Sequence, residues 1–280
     1  MDGDALKSRL ADMCSSEPIE FFGIASVDRF SEAPAGHRPR DILTEAESVV
    51  SIGTKIPEGV REANHRAYEA NRRHLIFVYQ HHGYVELNRR LNETAFRLAK
   101  TLEAAGHRST PIPASPPSDV KRLRGVISNR HAAVAAGNAT FGRQGLAVTP
   151  EAGPRVRWTT VLTTAALEPD PLITRDLCPE ACQRCHDVCP VDAFEDAEDL
   201  ELEIGGQTYR YPATDKWRCN IGGISGMDTN LSREQRAVPD DPGPEDYLAT
   251  LDDENRWDSL ERVASMCGRC IIECPIGQTS

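Results

Sequence analysis

The stretch Cys178-Pro-Glu-Ala-Cys182-Gln-Arg-Cys185-His-Asp-Val-Cys189-Pro190, with its shorter partner Cys267-Gly-Arg-Cys270-Ile-Ile-Glu-Cys274-Pro275, decides what kind of chain this is. Both contain C-x2-C-x3-C-P, the run by which bacterial ferredoxins hold two four-iron clusters. A C-x2-C turn aims two thiolates at neighbouring corners of a cubane. The x3 step then carries the chain to the second cluster, and the proline stops the local helix. The last cysteine of each run therefore ligates the other cluster. On this logic Cys178, Cys182, Cys185 and Cys274 hold one [4Fe–4S] cluster, while Cys189, Cys219, Cys267 and Cys270 hold the other. Cys219 stands alone upstream of its run and is assigned by counting, since without it the second cluster has three thiolates. The alternative for it is a buried structural thiol beside a three-iron or solvent-ligated cluster. Cys14, the ninth cysteine, reads as a buried thiol on an N-terminal helix.

Two other uses of clustered cysteine fit less well. Zinc ribbons pair C-x2-C units, but eight cysteines with C-P endings on both runs suit iron–sulfur chemistry better. The x3, x2 spacing of Cys178, Cys182 and Cys185 also matches radical-SAM enzymes. Those enzymes leave one iron free, whereas Cys274 here supplies a fourth ligand, and they build a barrel after the motif.

The rest of the composition is that of a globular protein, with 280 residues, 39% hydrophobic and 27% charged. A net charge of −11 disfavours broad contact with nucleic-acid phosphates, leaving Lys121-Arg-Leu-Arg124 as a local basic candidate. No leader is expected at the N-terminus and no apolar run suggests a membrane span, so the expectation is a cytoplasmic protein whose thiols stay reduced.

Periodicity organises the remainder. Ala5 to Cys14 reads as an amphipathic helix, and Phe21 to Val27, Ser48 to Gly53 and Arg157 to Thr163 as buried strands. Leu87, Leu91, Ala95, Leu98 and Leu102 recur at helical steps between Val85 and Ala105, and Gly106 ends that helix. Pro111 to Pro117 reads as an extended connector, and Asn129 to Ala136 as a helix closed by Gly137. Leu167-Glu-Pro-Asp-Pro171 marks a junction, so residues 1–170 are expected to form a cofactor and substrate domain and 171–280 a two-cluster domain. Leu200 to Ile204 alternates, Gly205-Gly206 turns and Gln207 to Tyr211 returns, a hairpin inserted over about residues 198–213.

An ordered series of motifs resembles the epoxyqueuosine reductase and reductive dehalogenase superfamily. It comprises His37-Arg-Pro39, Ala46-Glu-Ser-Val-Val-Ser-Ile-Gly53, Tyr84 to Leu102, Pro111-Ile-Pro-Ala-Ser115 and Gly125 to Gly137. It continues through Gly142, Leu146 to Glu151, Gly153 to Arg157, Thr160 to Thr164 and Leu167 to Asp170, and runs directly into the cysteines. The resemblance implies an α+β protein: a nitroreductase-like α/β domain of the corrinoid-binding type, followed by a bacterial ferredoxin-like domain with two [4Fe–4S] clusters. It further implies base-off cobalamin, reduced by the clusters and then attacking the substrate; flavin mononucleotide, or no further cofactor, is the alternative. The family's acidic proton donor has no match, because its place falls near Leu123 and Asp119 comes four residues early. Its aromatic-Gly-Lys-Asn element appears as Phe141-Gly-Arg-Gln144. The chain stops soon after Pro275, before any tRNA-facing extension, which together with the charge makes tRNA an unexpected substrate.

The reaction expected is reductive cleavage or elimination on a small organic molecule, with electrons from a ferredoxin, flavodoxin or reductase. An electron relay with no substrate chemistry is the rival. Reduction needs a proton, so the polar aromatics Tyr79, His81, His82 and Tyr84 are candidates, as are Arg130 and His131 on the most family-like helix. Tyr79, His82, Arg130 and His131 are the catalytic expectations. Ser128, Gly137, Gly142, Arg143, Gly145 and Arg155 are the expected cofactor contacts, the glycines because they permit close backbone approach to a flat ring.

Overall fold

The computed structural model describes residues 2–70, 72–115, 119, 121–194, 197–225, 238–251 and 267–278. Its centre is a four-stranded antiparallel sheet in the order β1-β2-β6-β3. The strands are β1 (Phe21–Ser26), β2 (Ser48–Lys55), β3 (Ser109–Ile112) and β6 (Val156–Thr163). β2 and β6 are buried on both faces and lie in the middle, where near-continuous apolar runs belong. Pro111, expected in a connector, instead pairs with Val161 on the edge strand β3, one of the few strand positions where proline withholds no needed donor.

Helices cover both faces. On one side α1 (Gly3–Ser15) and α3 (Glu86–Ala104) bury Leu6, Leu10, Leu91, Leu98 and Leu102 against Ile24, Val50, Ile52 and Val161. Each leucine contributes about 1.5–3 kcal/mol from removal of its apolar surface from water. Asp2 caps α1 by accepting from the Ala5 N–H at 2.8 Å. Cys14 is 1% exposed in this layer, and burial pushes its thiol up to about 12, so it is an inert core residue. On the other side α4 (Asn129–Ala135) packs its alanines against Val49, Trp158 and Leu162.

The helix expected from Val85 starts earlier. A π-helical turn, Tyr79–Val85, runs straight into α3, so the polar aromatics lie inside a helix rather than ahead of it. Gly83 makes room, because a side chain there would strike the Tyr79 ring.

Between the cysteine runs, β7 (Asp199–Ile204) and β8 (Gln207–Pro212) form the hairpin. Ile204, Tyr209 and Tyr211 are buried in the same apolar cluster as α4, and Tyr211 stacks on Phe141 of β4 (Thr140–Phe141), which pairs with β5 (Ala147–Val148). The hairpin thus rests on the sheet domain. Further on, α5 (Lys216–Ser225) packs on α6 (Pro244–Leu251) through Ile221 and Tyr247. Among the described residues no helix is long and apolar enough to cross a membrane.

Candidate iron–sulfur centre

The eight clustered cysteines fall into two groups of four by the charges they feel. Cys185 lies in a one-turn helix, Arg184–Asp187, and feels the charges of Cys178, Cys182 and Cys274. Cys219, on α5, feels Cys189 and Cys267, and Cys270 feels Cys189, Cys219 and Cys267. Cys270 also senses Cys185, so the two groups adjoin there. Burial first, then the neighbouring thiols, push Cys185 and Cys219 up to about 12. Such a set keeps its protons as neutral thiols unless a metal cluster replaces them. Among the described residues, no three His, Cys, Asp or Glu side chains converge tightly enough for a single metal ion. Thiolates around a cubane stand further apart than that.

Donors aimed at sulfur complete the fit. The Ala193 N–H reaches Cys189 Sγ at 3.3 Å, and backbone N–H groups of Arg143, Arg269 and Ile276 serve Cys178, Cys267 and Cys274. The Tyr68 hydroxyl donates to the Cys267 carbonyl at 3.1 Å and also reaches its sulfur. These donors tune a cluster's potential and orient its ligands. Both tight turns depend on the sheet domain. Gly268, with φ of 64°, lies so close to Tyr79 that an added Cβ would stand 2.6 Å from the ring. Arg155, 4% exposed, donates to the Cys274 carbonyl at 2.7 Å and the Ile276 carbonyl at 2.5 Å. Glu273, between the last two cysteines, is held by His65 at 2.7 Å and Arg184 at 3.0 Å.

The expected cofactor contacts are mostly engaged in this architecture. Gly137 closes α4 at φ of 73° with its Cα against the Pro171 carbonyl, Gly142 packs on Gln144 and Val148, and Gly145 faces Pro212 and Thr214. All three glycines meet their own chain, and Gly137 also lines a cavity. Arg143 donates to the Glu180 carbonyl, and its own carbonyl accepts from His186 at 3.0 Å, so it ties β4 to the first cysteine loop. Arg155 clamps the Cys274 turn. A seven-residue α4 is too short for its N-terminus to act as an anion site, and the Ser128 hydroxyl turns to His131 instead of capping it.

The catalytic expectations separate. Tyr79 is 2% exposed and packs on the Cys267–Cys270 turn, and burial raises its pKa well above the ordinary phenol range. His82 is exposed on the outside of the π turn. Arg130 donates to the Gly145 carbonyl at 2.5 Å and lies over the Tyr211 ring. His131 bridges Ser128 Oγ (2.6 Å) and Tyr211 Oη (2.9 Å), while burial and the charge of Arg130 lower its pKa to about 3, so it is a neutral histidine with both nitrogens in use. Asp119 pairs with Arg122 at 3.0 Å, which also removes one charge from the basic candidate. Cavities open among the described residues. One of about 280 Å³ lies between Lys55, Asn138 and Glu151, and one of about 240 Å³ between Ser115, Ser128, Asn129 and Arg130. Tyr84, stacked under Arg157, holds Ser115 at the rim of the second. Sequence reasoning missed Tyr68 and Asn64, which carry no motif and become neighbours of the cysteines only through folding.

Known proteins share this arrangement of chain. Tetrachloroethene reductive dehalogenases of Desulfitobacterium hafniense and Dehalobacter restrictus are 26% identical over 218 residues, 75% of this chain and 34% of theirs. The chain is similar to members of the epoxyqueuosine reductase and reductive dehalogenase superfamily. An epoxyqueuosine reductase solved with a tRNA-Tyr stem loop superposes with a TM-score of 0.53 at 18% identity, over 96% of this chain and 79% of that one. A catabolic reductive dehalogenase in complex with 3-bromo-4-hydroxybenzoic acid gives 0.56 at 13%, over 97% and 36%. At those identities the superfamily likeness is one of fold, here a mixed α/β one. No family model matches the chain. It spans about a third of the length of the curated superfamily members it matches.

Proposed function

We propose that the chain is an iron–sulfur oxidoreductase that passes single electrons from an external ferredoxin, flavodoxin or reductase to a small organic molecule undergoing reductive cleavage or elimination. The observation that carries this is the pair of adjoining cysteine quartets, half-buried to buried and supplied with N–H and O–H donors to sulfur. When bound, two [4Fe–4S] clusters supply one-electron steps at low potential. Around them the chain's own residues exclude water, fix the ligand turns through Arg155 and Tyr79, and bring Cys185 and Cys270 within electrostatic reach of each other. Its location is proposed as cytoplasmic, where such thiols stay reduced.

A corrinoid does not fit the described residues as expected. Of its predicted contacts, Arg143 and Arg155 are engaged by the cysteine loops and Gly142 and Gly145 by other parts of the chain. Gly137 and Ser128 line cavities of about 280 and 240 Å³, too small to enclose a corrin ring, which exceeds a drug-sized ligand. The superfamily likeness still makes cobalamin the first group to test. The engaged contacts favour, as a second reading, a reductase using flavin or the clusters alone, or an electron relay without substrate chemistry.

Anaerobic purification should yield about eight iron per chain. Four or fewer would overturn the two-cluster reading. Gel filtration after incubation with hydroxocobalamin or flavin mononucleotide then separates the cofactor readings, and retention of neither promotes the relay. A tRNA substrate, disfavoured by the charge, is not excluded by the fold. Turnover of an epoxyqueuosine-bearing stem loop beside a panel of organohalides decides it.

A further inference from the structure

Arg155 is a buried cation without an anion. Its side chain is 4% exposed, and its two terminal nitrogens donate to main-chain carbonyls, Cys274 at 2.7 Å and Ile276 at 2.5 Å. Among the described residues no carboxylate forms an ion pair with it. Glu58 exerts a pull, but it is exposed and already paired with Arg61. Carbonyl dipoles carry only partial charge, and a fully charged guanidinium out of water is costly unless a full negative charge lies close by. The group next to it is the Cys274 thiolate, whose attraction for Arg155 is the largest charge effect acting on the guanidinium. Neighbouring groups position the pair. Gln278 donates to the same Cys274 carbonyl at 2.8 Å, and Gly153 brings its Cα against the Ile276 carbonyl.

We propose that Arg155 is the built-in counter-charge of the cluster held by Cys178, Cys182, Cys185 and Cys274, and that it raises the reduction potential of that cluster. Adding one electron from the external donor makes the cluster more negative by one charge, with no bond broken and no proton required. A fixed cation beside it stabilises the reduced form more than the oxidised form. At an effective dielectric of about 20, two unit charges about 10 Å apart interact by an amount worth on the order of a tenfold change in an equilibrium. The inference rests on the two-cluster reading and is independent of any corrinoid.

Redox titration of the anaerobic holoprotein, followed by electron paramagnetic resonance, tests it. In Arg155→Gln, which loses the charge and keeps an amide donor, one cluster should bind its electron about tenfold more weakly, about 59 mV more negative for a one-electron couple. The other cluster, whose cysteines Arg155 does not touch, should shift less. In Arg155→Lys, which keeps the charge and loses the fork, both potentials should stay near wild type. A Gln variant with about eight iron and two unmoved potentials overturns the proposal, and so do equal shifts in Gln and Lys. If the Gln variant assembles one cluster only, Lys decides: full iron with unmoved potentials supports the charge, whereas loss of the same cluster marks a purely structural clamp and overturns it. Absence of four-iron signals in the wild type sinks the cluster reading instead.

Discussion

Replacing Gly268 by alanine should destabilise the second cysteine turn through two separable effects. Gly268 sits at φ of 64°, and its Cβ would stand 2.6 Å from Cζ and 2.8 Å from Oη of Tyr79. Left-handed backbone costs an L-residue roughly 1–2 kcal/mol. Overpacking against a buried ring, backed by Val60, Leu87 and Ile272, costs roughly 1–3 kcal/mol more. The sum, about 2–5 kcal/mol, corresponds to a melting point lower by roughly 3–9 °C in a chain of this size. Thermal unfolding and iron per chain are the assays, with loss of up to half the iron expected. Adding Tyr79→Leu should relieve the steric part and leave the backbone part, giving a coupling of about 1–3 kcal/mol in a double-mutant cycle. If Gly268→Ala keeps full iron and melts within about 0.5 kcal/mol of wild type, the packing of Tyr79 on the turn is wrong.

Two further outcomes follow from single residues. His131 has a folded pKa lowered to about 3 against an ordinary value near 6.5, so the unfolded chain binds its proton first. Stability should therefore be full above about pH 6.5 and fall as pH drops toward 3, by a few kcal/mol at most; His131→Gln should flatten that slope in urea melts, and an unchanged slope would show that other groups set it. Cys219→Ala should halve the four-iron content or convert one cluster to a three-iron form visible by paramagnetic resonance, and unchanged iron and spectra would remove Cys219 from the ligands.

The amino-acid sequence alone determined what is local. The x2 and x3 steps of Cys178 to Cys189 and Cys267 to Cys274, the 3.6-residue rhythm of Leu87 to Leu102 and the glycine turn at 205–206 each depend on neighbours within a few residues, so their geometry is readable from spacing. Pro111 was misread because proline favours an extended connector and an edge strand alike, and only Val161 opposite distinguishes them. The candidate site divides in the same way. Arg155 and the glycines carried the right residue types for a cofactor cradle, yet folding turns Arg155 onto the Cys274 loop and sets the glycines against other parts of the chain. That Tyr68 and Tyr79 guard one turn and Arg155 grips the other was decided by tertiary structure. Those contacts join positions 119 to 199 residues apart, where the cost of bringing them together is met by the sheet and its two helical layers, and no local spacing can encode them.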